Sequence, residues 1–280
     1  MIRTTLLELG LIDVENIVVI SDKTRDNNNL KVYQDKNTKI IFIDDYYVGN
    51  DEYKTGDYRT KINGGNYEDY LDSQRRWDNF KQFAIGKSII DFGCGNGSFL
   101  MLSKQFTRSS IGVEMQDDYR EILNHVNIKC YSDLSLVHRT VETVFLFHVL
   151  EHLPDPINTL KQIHSKLSDD GKIIIEVPHA KDYLMDNEKF LNFTLWSQHL
   201  ILHTRESLEV FLKSAGFKNI IIKGVQRYGL SNHLQWLKYG ISGGHVANLS
   251  IFESKELKDS YTKALESIDA TDTLIVVATK

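Results

Sequence analysis

The chain has 280 residues, of which 41% are hydrophobic and 25% charged, as in ordinary globular domains. Its 33 lysines and arginines stand against 38 aspartates and glutamates, and the resulting net charge of −5 excludes a general attraction to nucleic acid or anionic membranes. The two cysteines, Cys94 and Cys130, exclude a disulfide scaffold and a four-cysteine zinc module.

Residues 1–65 are predicted to form a small β-rich appendage. The runs 17–20 and 40–43 have the apolar character of strands. A tyrosine-rich stretch follows, which suits either an exposed appendage or a lid with aromatic contacts for a ligand. Its tyrosines are Tyr46, Tyr47, Tyr53, Tyr58, Tyr67 and Tyr70. The N-terminus lacks the apolar core of a signal peptide, and no apolar run is long enough to span a bilayer, so we expect a cytoplasmic protein.

Residues 66–280 are predicted to form one domain in which strands and helices alternate. The stretches between most of the strands show helical periodicity, and a further helix over 68–85 precedes the first strand. Seven runs have strand character: 88–92, 110–114, 127–131, 142–147, 172–177, 219–225 and 273–278. Strands separated by helices indicate βαβ units, so we expect an α/β fold with a parallel sheet.

Capping residues predict where two of these helices begin and end. Asp155 and Pro156 suit the N-cap and first position of a helix that the turn Asp169-Asp170-Gly171 closes. Thr204 is predicted to cap a later helix, which ends at Gly216.

Two insertions, residues 178–203 and 226–272, interrupt the alternation. Both follow the carboxyl ends of strands, where open α/β sheets bind ligands. We therefore expect the two insertions and the N-terminal appendage to recognise the substrate. Tyr228, Trp236 and Tyr239 in the second insertion suit stacking on a sugar ring, and equally suit a helix packed on the sheet edge.

The most informative motif is Asp91-Phe92-Gly93-Cys94-Gly95-Asn96-Gly97, which joins the first strand of this domain to a helix. Its glycines allow a tight turn and a close approach of the backbone to a ligand. Their spacing departs from the G-x-G-x-x-G of dinucleotide-binding folds, and Asp91 suits a cation better than a pyrophosphate. Glu114 ends the next strand, where a carboxylate can accept both hydroxyls of a ribose.

With these motifs the chain resembles the class I S-adenosylmethionine-dependent methyltransferases from about Trp77 onwards. The resemblance rests on the glycine motif, on Glu114 and on two later runs, Phe147-His148-Val149-Leu150-Glu151-His152-Leu153-Pro154-Asp155-Pro156 and Leu167-Ser168-Asp169-Asp170-Gly171-Lys172. It implies S-adenosylmethionine as the cofactor and a Rossmann-like, seven-stranded, mostly parallel sheet with helices on both faces. A narrower resemblance, to methyltransferases of bacterial surface-polysaccharide biosynthesis, rests on Trp196-Ser197-Gln198-His199-Leu200 and on Ala215-Gly216-Phe217.

The family resemblance also implies which residues bind the cofactor. By this resemblance, Asp91, Gly93 and Gly95 line its methionine part, and Glu114 binds the ribose. Met115 and Asp133 flank the adenine. Phe147 and His148 lie beside the reactive methyl group.

Histidines are the candidates for the catalytic base. Methyl transfer to a hydroxyl needs a group that accepts the hydroxyl's proton, and histidine has a suitable ordinary pKa of about 6.5. In order of preference, the candidates are His148 after the fourth strand, His199 in the first insertion and His179 after the fifth strand. A hydrogen-bonded structural role is the alternative for each of them.

No bound metal ion is expected. The alternative is a nitrogen-and-oxygen site formed by His148, Glu151, His152 and His199, a set that favours zinc, iron or manganese over magnesium. Without such a site, Glu151 is expected to hold a helix turn or to make another structural contact.

The sequence therefore predicts an enzyme that O-methylates a small activated precursor, such as a sugar or nucleotide-sugar, in capsule or lipopolysaccharide biosynthesis. Quinone or other small-molecule O- or N-methylation and a non-catalytic nucleotide-binding protein remain as alternatives. The spacing of the glycines argues against a nicotinamide oxidoreductase. The expected partner is a small-molecule acceptor. Nucleic acid is not expected as a partner, because no basic stripe is evident, and neither is a membrane. A homodimer stays open.

Overall fold

The computed structural model of the chain describes residues 2–44, 46–55, 67–246 and 249–280. The N-terminal part contains the helices α1 (Ile2–Glu8) and α2 (Asn50–Thr55) and the strands β1 (Ile17–Ser21), β2 (Val32–Asp35) and β3 (Ile41–Ile43). The runs predicted as strands at 17–20 and 40–43 correspond to β1 and β3. Tyr58 of the predicted tyrosine-rich stretch lies outside the described residues.

The elements from residue 67 onwards alternate as the sequence predicts. The helices are α3 (Tyr67–Phe80), α4 (Ser98–Ser103), α5 (Asp117–His125), α6 (Pro156–Lys166), α7 (Glu188–Thr194), α8 (Arg205–Ser214), α9 (Leu230–Tyr239) and α10 (Lys255–Ser267). The strands are β4 (Ser88–Phe92), β5 (Ser109–Val113), β6 (Lys129–Tyr131), β7 (Val141–Phe147), β8 (Leu167–Pro178), β9 (Ile201–Leu202), β10 (Lys218–Val225) and β11 (Thr273–Thr279). Within the described residues, no helix combines the length and the apolarity needed to cross a bilayer.

Seven strands form the central sheet, in the order β10-β11-β8-β7-β4-β5-β6. β11 runs antiparallel to both of its neighbours, and the other pairs are parallel. The predicted Rossmann-like α/β fold is therefore confirmed. Because parallel strands bring their carboxyl ends to one side of the sheet, the loops that follow β4, β5 and β7 lie together there.

A second sheet connects the N-terminal strands to the first insertion. Its order is β1-β2-β3-β9, and β9 pairs antiparallel with β3 through Ile41 opposite Leu202 and Phe42 opposite Ile201. Leu6 of α1 and Phe42 are fully buried, in the same hydrophobic cluster as the apolar residues of β7 and β8. The N-terminal segment thus packs into the core of the larger domain.

The predicted helix caps are present. The side chain of Asp155 accepts a hydrogen bond from the backbone N–H of Asn158 at 3.2 Å, and Pro156 opens α6. Thr204 and Ser207 form a reciprocal capping box at the start of α8. These bonds satisfy backbone N–H groups that the first helical turn leaves without partners.

The start of β8 differs from the prediction. The strand begins at Leu167 rather than at residue 172. Along the β7–β8 ladder, Val141 lies opposite Leu167, and two residues later Thr143 lies opposite Lys172. The predicted turn at 169–171 is thus a bulge within the strand, and a left-handed φ of 59° at Asp170 accommodates it.

Candidate active site

The glycine motif forms the loop between β4 and α4. Gly93, Gly95 and Gly97 all have left-handed φ angles, of 73°, 53° and 73°. A Cβ atom on Gly93 would lie 2.5 Å from Val149, and one on Gly97 would lie 2.1 Å from Leu123. The loop therefore requires glycine both for its backbone angles and for its close packing.

Glu114 follows β5 and holds this loop in place. One carboxylate oxygen accepts the backbone N–H of Gly95 at 2.8 Å, and the other accepts that of Gln116 at 3.0 Å. The residue is 8% exposed and borders a cavity. Its carboxylate is thus fixed in direction by two backbone donors.

Two cavities meet at the glycine loop, and Gly93 borders both of them. The larger cavity has a volume of about 210 Å³. It is lined by Tyr47, Tyr53, Phe92, Gly93, Val113, Glu114, Met115, Ser132, Asp133, Leu134, His148, Val149, His152 and Leu153. The smaller cavity has a volume of about 90 Å³ and is lined by Ser73, Arg76, Asp91, Gly93, Cys94, Gly95, Asn96, Ser98, Phe99 and Phe147.

The predicted cofactor residues divide between these cavities. Glu114, Met115, Asp133 and His148 line the larger one. Asp91, Gly95 and Phe147 line the smaller one, and Gly93 joins the two. Each of the eight residues therefore borders one or both of two cavities that share Gly93.

Asp91 is the buried acid of the smaller cavity. Burial raises the pKa of its carboxyl to about 7, Arg76 acts in the opposite direction, and Glu114 adds to the rise. A cationic ligand group beside Asp91 would relieve this unfavourable burial of charge.

A network of charged side chains lies next to the smaller cavity. Glu176, at the end of β8, is fully buried and accepts hydrogen bonds from both Arg75 and Arg76 of α3. Asp72 forms an ion pair with Arg227 of the second insertion. Sequence reasoning missed these residues, although the adjacent arginines and the acid that follows the apolar run 173–175 of β8 are signals that it could have used.

His148 lies where this network meets the larger cavity. Its backbone adopts a left-handed φ of 55°, which is strained for a residue with a side chain. Nδ1 lies 3.2 Å from Glu151, and Nε2 lies 3.1 Å from an Arg227 nitrogen and 3.3 Å from Glu176. Burial by itself lowers the pKa of His148, but the hydrogen bonds to Glu151 and Glu176 outweigh it and raise this pKa.

Glu151, His152 and His199 form a second group of titratable side chains, here called the Glu–His–His cluster. One potential ligand atom from each residue lies within 4.8 Å of the other two. Burial alone would raise the pKa of Glu151, but the His148 hydrogen bond and the neighbouring imidazoles lower it to about 2. Burial, with His152 beside it, lowers the pKa of His199 to about 3. Of the four residues in the predicted metal alternative, His148 is not part of this cluster.

His179 is in a different environment from the other candidate bases. It is fully buried, and its Nδ1 lies 2.9 Å from the carbonyl oxygen of Thr271. Burial lowers its pKa to about 4, which Asp269 only partly offsets. Neither His179 nor His199 is among the residues that line the larger cavity, so the structure brings only the first-ranked candidate, His148, to it.

A third cavity lies between the N-terminal segment and the first insertion. This polar pocket has a volume of about 190 Å³ and is lined by Asp26, Asn27, Tyr46, Val48, Glu52, Trp196, Ser197 and Gln198. The carboxylate of Asp26 accepts hydrogen bonds from the backbone and hydroxyl of Ser197. The carbonyl of Gln198 is 2.9 Å from His152 Nδ1, which connects this pocket to the wall of the larger cavity.

The three aromatic residues singled out in the second insertion differ in burial, and Tyr239 is 50% exposed. Trp236 of α9 is 3% exposed, and its ring contacts those of Phe190 and Phe193 of the first insertion. Tyr228 lies under the guanidinium of Arg227 at 5.3 Å. Burial thus favours the packed-helix interpretation for Trp236 over sugar stacking.

Comparison with known proteins identifies the family. Residues 68–221, more than half of the chain, match the model of a family described as "Methyltransferase domain". The match contains α3 except for its first residue, the glycine loop, Glu114 and the Glu–His–His cluster.

Curated relatives share part of this region. A tRNA U34 carboxymethyltransferase of Aliarcobacter butzleri is 25% identical over 151 residues, which cover 48% of this chain and 48% of that protein. The protein of the same description from Alteromonas mediterranea is 24% identical, over 70% of this chain and 61% of its own length. The chain thus spans about half to three fifths of the length of these relatives.

Solved structures share the fold. An S-adenosylmethionine-dependent methyltransferase from Archaeoglobus fulgidus superposes with a TM-score of 0.54, at 22% identity over 80% of this chain and 98% of that one. The magnesium protoporphyrin IX methyltransferase of Synechocystis, with bound S-adenosylhomocysteine, superposes with a TM-score of 0.52 at 13% identity. This match covers 82% of this chain and 97% of that one. These likenesses concern the fold alone.

Proposed function

The chain belongs to this family of S-adenosylmethionine-dependent methyltransferases, and we propose that it transfers a methyl group to a hydroxyl of a small, polar acceptor. The observation that carries the proposal is the pair of cavities that share Gly93, with a fixed carboxylate in one and a buried acid in the other. Such a pair suits a ligand with an adenosine at one end and an amino acid at the other. The cofactor supplies a methyl group bonded to a positively charged sulfur.

The residues of the larger cavity suit the adenosine part. Glu114 offers a carboxylate for the two ribose hydroxyls, which is the usual partner of a ribose at this position of a doubly wound sheet. Met115 and Leu134 offer apolar surface for the adenine, and Asp133 lies beside them. In the smaller cavity, Asp91 suits the ammonium group and Arg76 the carboxylate of the methionine part.

We assign the base to His148, because it alone among the three predicted histidines lines the larger cavity. Arg227 directs a guanidinium N–H towards Nε2, so an acceptor hydroxyl would have to replace that donor. Glu151 lies against Nδ1 and would stabilise the imidazolium that forms, as a carboxylate does in serine hydrolases. A positioned base contributes about 10²–10⁴-fold to the rate.

The polar pocket supports a hydroxyl-rich acceptor, such as the sugar of an activated precursor in surface-polysaccharide biosynthesis. It offers the carboxylates of Asp26 and Glu52 and the amide of Gln198 as hydrogen-bonding groups, and the rings of Tyr46 and Trp196 as apolar surface. Quinones, which are mostly apolar, suit this lining less well. We further propose that residues 1–65 act as a lid over the acceptor site of the methyltransferase domain, residues 66–280. Tyr47 and Tyr53 of this N-terminal segment border the larger cavity, which supports the proposal.

Transfer to tRNA is the second candidate, and the relatives described as tRNA U34 carboxymethyltransferases favour it. Two observations oppose it. The net charge of −5 gives no general attraction to phosphate. In addition, Asp26 and Glu52 place negative charge beside the proposed acceptor site.

The first experiment is calorimetric titration of the full chain with S-adenosylmethionine, S-adenosylhomocysteine and NADH. We expect the two adenosyl ligands to bind and NADH not to. Glu114→Gln should weaken adenosyl binding about 10- to 100-fold, since one charged hydrogen-bonding site is lost. Glu142→Gln is the matched control, because Glu142 also accepts a backbone N–H, from Ser88 at 2.8 Å, but lies at the opposite end of the sheet. Tighter binding of NADH would overturn the proposal.

The second experiment identifies the acceptor class by transfer of a radioactive methyl group to nucleotide-sugars, quinones or tRNA. We expect label in the nucleotide-sugar fraction. Trp196→Ala should lower kcat/KM for that acceptor about tenfold while the S-adenosylhomocysteine Kd stays the same. Label confined to tRNA would favour the second candidate, and label in quinones would favour an apolar acceptor.

A further inference from the structure

The Glu–His–His cluster contains buried ligand atoms with no partner among the described residues. Glu151 is 0% exposed; one of its oxygens lies near His148, and the other, Oε2, has no hydrogen-bond partner. Nδ1 of His199 also has none. A buried polar atom without a partner costs about 1–3 kcal/mol, and more when it is charged. Two such atoms in one cluster therefore need an explanation.

The spacing of the cluster suits a metal ion. The ligand atoms of Glu151, His152 and His199 lie within 4.8 Å of one another. Two ligands of one Zn²⁺ ion can be at most about 4 Å apart, because each ligand lies about 2.0–2.2 Å from the metal. Side-chain movements of under about 1 Å would therefore bring all three atoms to one ion.

The surrounding bonds hold two of these ligands in place. The Nδ1 atom of His152 lies 2.9 Å from the carbonyl oxygen of Gln198, so this nitrogen carries the proton and Nε2 carries the lone pair. A backbone carbonyl on the distal nitrogen is the usual partner of a metal-binding histidine. The carbonyl of Glu151 in turn accepts the backbone N–H of Leu200 at 2.8 Å, which fixes the two ligand-bearing segments to each other.

We propose that Glu151, His152 and His199 bind a divalent transition-metal ion. Two imidazoles and one carboxylate favour Zn²⁺, Fe²⁺ or Co²⁺ over Mg²⁺, which prefers an all-oxygen set. Three protein ligands leave coordination positions for a water molecule or a substrate oxygen.

The location of the ion suggests its role. His152 lines the larger cavity, and Gln198, which contacts it, lines the polar pocket. The ion would lie between the two and hold an acceptor oxygen near the reacting methyl group. This role rests on the proposed function, whereas binding of the ion does not.

The test uses the full chain, freed of metal with a chelator and titrated with Co²⁺, whose visible absorption reports nitrogen and oxygen ligation. We expect one equivalent to bind, Zn²⁺ to displace it, and the apparent melting temperature to rise with metal concentration. Glu151→Gln and His199→Asn should each weaken Co²⁺ binding at least 100-fold. His179→Asn is the matched control, since His179 is also a buried histidine whose Nε2 has no hydrogen-bond partner among the described residues, but it lies outside the cluster.

The variants must remain folded for this comparison, and circular dichroism of the metal-free samples verifies this. Equal Co²⁺ affinity in the wild type, Glu151→Gln and His199→Asn would overturn the proposal, as would Mg²⁺ competing as well as Zn²⁺. S-adenosylhomocysteine binding is measured on the same metal-free samples. If it persists while Co²⁺ fails to bind, only the metal site is wrong; if it is absent while Co²⁺ binds, the proposed function fails and the site stands.

Discussion

Arg75 donates two hydrogen bonds to the two carboxylate oxygens of Glu176, at 2.9 and 2.8 Å. The pair joins α3 to the end of β8, and Arg76 adds bonds of 3.1 and 3.0 Å to one of the same oxygens. Glu176 is 0% exposed. Two guanidinium groups thus compensate one buried carboxylate. Arg76 also lines the smaller cavity, and Glu176 lies 3.3 Å from His148 Nε2.

Loss of the Glu176 charge should destabilise the fold strongly. Glu176→Gln leaves the largely buried guanidinium groups of Arg75 and Arg76 with Asp72 as their remaining anion, and Asp72 also pairs with Arg227. Removing one partner of a buried ion pair costs about 3–5 kcal/mol. We expect that loss in the free energy of unfolding measured in urea. Glu209→Gln is the control: its bond to Lys213 is exposed on α8, and its loss should cost less than about 0.5 kcal/mol. Equal effects of the two substitutions would contradict this account.

Cofactor binding should depend on pH through Asp91. Burial raises the pKa of this carboxyl to about 7, so the carboxylate that would attract an ammonium group predominates only above that pH. The affinity for S-adenosylhomocysteine should therefore increase as the pH rises from 6 to 8, by about tenfold, in proportion to the ionised fraction. Calorimetric titration across this range measures it.

Asp91→Asn should bind S-adenosylhomocysteine weakly at every pH in this range. Asp133→Asn provides the control, because hydrogen bonds from Ser135 lower the pKa of Asp133 and it stays ionised throughout. That variant should keep the pH dependence of the wild type. A sloping profile in Asp91→Asn would mean that another group is responsible.

Gly97 of the glycine loop and Gly86, just before β4, form a matched pair for packing and backbone strain. Gly97 and Gly86 have nearly equal φ angles of 73° and 68°, but a Cβ on Gly97 would lie 2.1 Å from Leu123, whereas one on Gly86 would meet nothing within 4 Å. Gly86→Ala should thus cost only the backbone strain, about 1–2 kcal/mol. Gly97→Ala adds overpacking and should cost about 2–5 kcal/mol. Thermal and urea unfolding of both variants gives the difference, and similar losses would show that packing at Leu123 adjusts without cost.

The local features of this fold could be predicted from the sequence. Asp155, Pro156 and Thr204 set helix ends through bonds within four residues of themselves, and α6 and α8 begin where they indicate. The glycine spacing and Glu114 are likewise read from a short stretch of chain. In each case the interaction that decides the structure is local.

Contacts between distant parts of the chain could not be predicted in this way. Arg75 meets Glu176 across 101 positions, and β3 pairs with β9 across about 160. The topology of the sheet brings these partners together, and no periodicity in the sequence records it. Trp236 illustrates the opposite error, since an aromatic residue in an insertion suggests a ligand platform, yet packing against Phe190 and Phe193 buries it.

The buried His233 is held in its neutral form by its partners. Gln226 accepts the backbone N–H of Asp272 through its oxygen, so its amide nitrogen faces His233 Nε2 at 3.0 Å and donates to it. His233 Nδ1 lies 2.8 Å from the Tyr261 hydroxyl and donates there. Protonation of Nε2 would set two donors against each other. Burial accordingly lowers the pKa of His233 to about 4.

Acid should therefore destabilise the fold through His233. The unfolded chain takes up this proton at its ordinary pKa of about 6.5 and the folded chain only near 4, so stability falls as the pH drops through that window, by about 2–3 kcal/mol for this residue. His233→Gln, which can still bond Tyr261 and Gln226, should lose less free energy of unfolding between pH 7 and 4.5 than the wild type, in urea titrations. Tyr183, which stacks on the ring, and Asp182, whose pKa burial raises to about 7, remain in both proteins and cancel in the difference. A pH dependence in His233→Gln identical to that of the wild type would assign the acid sensitivity to other groups, with His179 the first to examine.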